Sequence, residues 1–134
     1  MGLIEEIGAY LDSNSTRFLA GTSLFYNWLP DEPGTAASIT ETGGLPPQQV
    51  FGNDLPAWEN QRVQVLCRST SSTRARANAN DAWVVLQQIA NETLSGRSWL
   101  RVSAVQSPFS LGQDERGRML FACNYECVRR TTAA

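Results

Sequence analysis

The last quarter of the chain constrains the fold most. From Arg118 to Val128 the sequence alternates, with Met119, Phe121, Cys123, Tyr125 and Cys127 on one side and Arg118, Leu120, Ala122, Asn124, Glu126 and Val128 on the other. A period of two is what a strand with one buried face needs. Upstream, Leu100, Val102 and Ala104 oppose Trp99, Arg101 and Ser103 in the same manner. The two runs predict an antiparallel pair whose apolar sides meet a helix. The segment joining them, Ser107–Gly117, is longer than a hairpin loop requires, which predicts a job for it.

The rest of the chain supplies partners for that pair. Leu3, Ile4, Ile7, Tyr10 and Leu11 recur at helical spacing, so residues 3 to 12 predict an amphipathic helix. Glu5 and Glu6 fall in its first turns, where the helix dipole favours negative charge. Strands are predicted over Ser23–Leu29, Ala36–Glu41 and Gln61–Ser69, the first two as a hairpin or bent pair. In the third, Val63, Val65 and Cys67 share a face. Thr42–Glu59 is rich in Gly and Pro and predicts a long loop that folds over the body or orders on a neighbour. Ser71, Ser72 and Thr73 offer cap hydroxyls for a second helix, from about Arg74 to Leu94, with Ala82, Trp83, Leu86, Ile89 and Ala90 as its stripe and Gly96 as its stop. Arg74 and Arg76 open that helix at its positive end, a local cost of a few tenths of a kcal/mol. The default there is a solvated pair, and an acidic partner is the sharper alternative.

The resulting order is α-β-β-β-α-β-β. This is an α+β fold with a mixed or antiparallel sheet of about five strands and two helices packed on one face. The 134 residues suffice for one domain, 1–134, with residues 131–134 as a flexible tail. No apolar run approaches the ~20 residues that span a bilayer, so a soluble protein is expected.

Chemistry is constrained mostly by what is missing. The chain has no His, the commonest general base and metal ligand. It shows no nucleophile elbow, P-loop or dinucleotide fingerprint. Asp114-Glu115 and Asp31-Glu32 read as solvated turns. Cys123 and Cys127 would lie about 13 Å apart on a strand, too far for a disulfide or a shared zinc. Buried, reduced thiols are the expectation for all three Cys. A net charge of −2 argues against a dedicated nucleic-acid binder. Two glycosylation sequons, at Asn14 and Asn91, lack a signal peptide to deliver them.

LPDEPGTAASITETGG, residues 29 to 44, carries a resemblance. With LIEEIGAYL, the strand-then-helix unit QVLCRS to AWVVLQQI and the SPFSLGQDERGR segment, it is similar to minor capsid proteins of long-tailed bacteriophages that resemble tail terminators. That resemblance implies a structural virion protein of the tail or neck, assembled in the host cytoplasm. Such subunits form a ring of six on the finished tail tube, stop its polymerisation and meet the head connector. It implies no reaction, cofactor or metal. The implied partners are further copies of the chain, the tail tube protein and the connector protein, with genome DNA passing through without specific binding.

On that reading the Thr42–Trp58 and Ser107–Gly117 segments carry contacts to neighbours. Arg116 and Arg118 are the candidate cations, Asp31, Glu32 and Glu41 their acceptors, and Phe51, Trp58 and Phe109 the apolar contacts. Asp114 and Glu115 are candidates to face the channel. A head–tail connector adaptor, another neck or tube protein, or a small cellular binding module are the alternatives. An enzyme would need two convergent acids with perturbed protonation.

Overall fold

The computed structural model describes residues 2–48 and 58–130, with the backbone alone for residues 45–48. Helix α1 (Leu3–Asn14) follows its apolar spacing and buries Leu3, Ile4, Ile7 and Leu11. It also buries Glu6, one of the two acids in its first turn. Strand β1 (Leu24–Tyr26) is shorter than its apolar run, because Asn27 adopts φ 69° and turns the chain away. It pairs in parallel with β2 (Ala36–Gln48), Leu24 opposite Ala37 and Tyr26 opposite Ile39. The expected hairpin or bent pair is therefore a parallel edge pairing.

Strand β2 also overturns the expected Thr42–Glu59 loop. It continues through the Gly- and Pro-containing stretch to Gln48 and pairs with β3 (Trp58–Ser69) as far as Gln48 opposite Trp58. Two glycines make this possible. Gly43 takes φ 94° at a bulge, and a Cβ on Gly44 would sit 2.3 Å from the Asn60 carbonyl oxygen. Pro46 and Pro47, which have no N–H to donate, fall in the register irregularity between Leu45 and Gln48, where neither has a partner in β3. The candidate contact Phe51 and the expected tail at 131–134 lie outside the described residues.

Helix α2 (Ser72–Leu86) is capped by the Ser71 hydroxyl, which accepts from the Arg74 N–H. It ends well before Leu94. Strand β4 (Ala90–Leu94) follows, joined to β5 (Arg97–Ala104) through Ser95 at φ 53° and Gly96 at φ 80°. Two successive positive φ values are the signature of a two-residue hairpin turn, so Gly96 serves that turn and not a helix end. The stripe of α2 is also rotated from expectation. Ala75, Ala79, Ala82 and Leu86 face the sheet and Trp83 is partly exposed.

The insert before the last strand is ordered. Strand β6 (Phe109–Gln113) pairs with β7 (Met119–Arg130), Phe109 opposite Ala122. It occupies the same side of β7 as β5, which pairs further along at Tyr125 to Arg129. The sheet order is β1-β2-β3-β7-β5-β4, with β6 off that path, giving seven strands among the described residues against the expected five or so. The α+β class and mixed sheet hold.

Alternation in β7 gives the core. Phe121, Cys123, Tyr125 and Cys127 are buried with Val63, Val65, Cys67 and Ile39 beneath the helices. All three Cys are free. Burial pushes the Cys67 thiol up to about 12, with the neighbouring Cys123 and Asp81 adding to it, which leaves it protonated and inert at neutral pH. Strand β5 departs from its simple alternation. A bulge between Trp99 and Arg101 sends Trp99 and Val102 inward and leaves Leu100 exposed. The opposite sheet face is polar: Gln64 bonds to Asn124 at 3.2 Å, and Asn60 and Arg101 both reach Glu126, at 3.2 and 3.0 Å. No helix among the described residues is long and apolar enough to cross a membrane.

Candidate assembly interface

Five of the candidate residues converge at one end of the sheet. The β6–β7 connection is a tight turn. The Asp114 N–H donates to the Arg118 carbonyl at 2.9 Å, and the Gly117 N–H to the Asp114 carbonyl at 3.0 Å. Gly117 closes it at φ 75°. The Asp114 carboxylate accepts from the N–H groups of Arg116 and Arg118, both at 2.9 Å, and from Arg118 Nε at 2.7 Å. Desolvation alone would raise its pKa. The N–H and side-chain donors of Arg118, with the Arg116 N–H, outweigh that and hold it below the ordinary carboxylate value.

Arg118 then reaches the Asp31 loop. Its Nη1 donates to the Asp31 carbonyl at 2.6 Å, and its Nη2 to Asp31 Oδ1 at 3.1 Å. Arg116 is more exposed and pairs with Asp31 Oδ2 at 2.8 Å and with Glu32 at 3.7 Å. Beneath them lies Arg68, 3% exposed, on the face of β3 opposite Val63, Val65 and Cys67. Its Nη2 donates to the carbonyls of Pro30 at 2.6 Å and Pro33 at 2.7 Å, and its Nε to that of Gly34 at 3.3 Å. Burial and the nearby Arg118 charge lower its pKa, against the opposing pull of Asp114, Asp31 and Glu32. The DEPG loop is thus pinned by two guanidinium forks.

The predicted cations and acceptors Arg116, Arg118, Asp31 and Glu32 therefore meet within one chain. Glu41 does not join them, being exposed in β2 opposite Val63. Glu115 is exposed with its neighbour Asp114 already spent on the turn, so only Glu115 offers unpaired charge there among the described residues. Phe109 is half-buried in β6.

Acid should loosen this corner. A depressed Asp114 pKa means its contribution is fully present above the ordinary value near ~4 and is lost as pH falls through the folded-state value. The expected result is a stability–pH profile that drops below about pH 4, with Asp114→Asn flatter over that window. Asn keeps the acceptor for the turn N–H groups but not the charge. Parallel acid limbs for both proteins in urea titrations would contradict this.

At the other end Trp58 belongs to a second cluster, built around Glu6. The buried Glu6 carboxylate accepts from Trp99 Nε1 at 3.0 Å, lies 3.2 Å from Arg97 Nε and bonds to Arg129 Nη1. Arg129 Nε bonds to Glu59, and its guanidinium lies 5.6 Å from the Trp99 ring centroid. Arg130 lies 5.2 Å above the Trp58 ring, and its carbonyl accepts from Arg97 Nη1 at 3.0 Å. These contacts tie α1, β3, β5 and β7 together at the end of the sheet where β3 begins. No single-sequence signal marked Glu6, Glu59, Arg97 or Arg129, since each sits on its own element. Among the described residues, no group of three or more Cys, Asp or Glu is placed to hold a metal.

Residues 4–131 match the model of a family described as bacteriophage tail terminator protein. The chain belongs to the bacteriophage tail terminator family. This agrees with the resemblance read from residues 29 to 44, and makes it a member of a family of phage structural proteins. No curated protein matches it. Among solved structures it is similar to a chain of the virion of a native gene transfer agent particle, at 13% identity and a TM-score of 0.55. The alignment covers 92% of this chain and 84% of that one. At that identity the likeness concerns the fold: a tail terminator family member shares its path with a particle component.

Proposed function

We propose that the chain is a tail terminator subunit of the virion tail or neck, acting as one unit over residues 1–134. Copies close into a ring on the finished tail tube, stop its growth and present a surface to the head connector. The family match over residues 4–131 carries this reading. The fold suits it. A ring needs heterologous contacts whose rotation closes, and this sheet has unlike ends. One carries the DEPG loop bolted to the β6–β7 turn, and the other the paired ends of β2 and β3 beside the Glu6 cluster. Asp31, Glu32 and Arg116 would meet a neighbour as a preformed network, already oriented by Arg68 and Arg118, with Phe109, Trp58, Glu41 and Phe51 as further contacts. Catalysis plays no part in this role, and genome DNA would pass through the ring.

Particles assembled without this protein should carry tails of uncontrolled, excessive length in electron micrographs. Tails of normal length that fail to join heads would instead make it a connector adaptor, and normal particles would end the proposal.

A further inference from the structure

The two arginines that open α2 are absorbed by neither cluster. Arg74 lines an open cavity of about 410 Å³ together with Thr16, Arg17, Thr35 and Asn78. Among the described residues neither Arg74 nor Arg17 has a carboxylate within ion-pair distance. Arg17 is held by its Nη1 donating to Asn78 Oδ1 at 2.8 Å, and Asn78 is itself 8% exposed. Asp81, one turn further along α2, is turned to the Ser15 hydroxyl. The first turn of α2 contains no acid to offset its dipole. Positive charge is thus gathered at the positive end of a helix, a placement that costs energy until an anion offsets it.

We propose that this cavity is an oxyanion site for phosphate, free or as the phosphodiester of DNA. The donor set selects the class. Two guanidinium forks, the Thr16 and Thr35 hydroxyls and the Asn78 amide surround one space. A carboxylate presents two oxygens in a plane and one fork satisfies it. A tetrahedral phosphate presents oxygens in several directions and uses donors from α2, from the turn after α1 and from the loop before β2 together. Thr35 already shares a hydrogen bond with Ser69 at 3.1 Å, which fixes its rotamer beside the cavity. Binding of this kind recognises backbone and not sequence, so it is compatible with a genome that moves past. It rests on the cavity and does not require ring closure.

The test uses the full chain and two probes. Inorganic phosphate is titrated against chloride at matched ionic strength, read by calorimetry and by the melting midpoint. A DNA duplex is titrated by anisotropy at several salt concentrations. Saturable phosphate binding is expected, weakened roughly tenfold or more in Arg74→Ala, because hydrogen bonds to charged groups are the strong ones. Arg76→Ala, exposed on the same helix and outside the cavity, is the control and should bind as the parent does. Arg74 is exposed, so its variant should fold with an unchanged melting midpoint in chloride. Arg17→Lys, which keeps the charge and loses the fork, should also weaken binding. If DNA is the source, the slope of log affinity against log salt falls by about one in Arg74→Ala. If phosphate binds and DNA does not, the site takes the free ion. Absence of saturable binding by either probe, or equal weakening by Arg76→Ala, overturns the proposal.

Discussion

Glu6→Ala should destabilise the protein by about 3–5 kcal/mol, the usual cost of removing one partner from a buried ionic cluster. For a chain of this size that corresponds to a fall in melting midpoint on the order of 10 °C. The magnitude follows from what is left behind. Glu6 is the shared acceptor of Trp99 Nε1, Arg97 and Arg129. Removing it leaves a buried indole N–H without its acceptor and takes a buried carboxylate from Arg97 and Arg129, the latter keeping its pair with Glu59. The lost contacts span three elements, α1, β5 and β7, so the effect should appear in the cooperative unfolding transition and not as local fraying. Glu6→Gln should cost less, because an amide oxygen still accepts from Trp99. A double-mutant cycle of Glu6→Ala with Arg129→Ala measures the coupling. A loss below about 1 kcal/mol in urea melts, the size of an exposed pair, would show that the cluster is not energetically connected.

Arg68→Ala should be the second large effect, about 3 kcal/mol, given that hydrogen bonds to charged groups each contribute roughly 1.5–3 kcal/mol and do not add fully. Its fork satisfies the carbonyls of Pro30, Pro33 and Gly34 inside a loop that has no regular pairing of its own. Without it those carbonyls must turn to water, and the Asp31 side chain that Arg116 and Arg118 grip loses its platform. Arg68→Lys should recover only part of the loss, since a single ammonium cannot bridge both ends of the loop. If the DEPG loop takes part in subunit contacts, Arg68→Ala should also impair incorporation into particles more than an equally destabilising core change such as Ile39→Ala. Equal incorporation at equal stability would remove that loop from the interface.

Much of this fold was legible in the residue order because burial imposes a period. The alternation from Met119 to Cys127 fixed which face of β7 meets the helices, and the spacing from Leu3 to Leu11 fixed α1. The LPDEP to ETGG stretch, with the other segments following in their order, pointed to the family that residues 4–131 match. Where the local signal was ambiguous the reading failed. Residues 90 to 94 fit the tail of a helix until Ser95 and Gly96 are seen with positive φ, and Gly-rich β2 looked structureless until β3 is laid beside it.

Sequence patterning therefore determined the elements that carry a strong hydrophobic period and the thiols buried on them, while the family entered through a resemblance of segments. Only the folded chain decided which charges meet. Asp31 with Arg118, 87 positions apart, and Glu6 with Arg129, 123 apart, have no pattern linking them, because an ion pair depends on the distance between two groups in space and a single sequence records only their order along the chain.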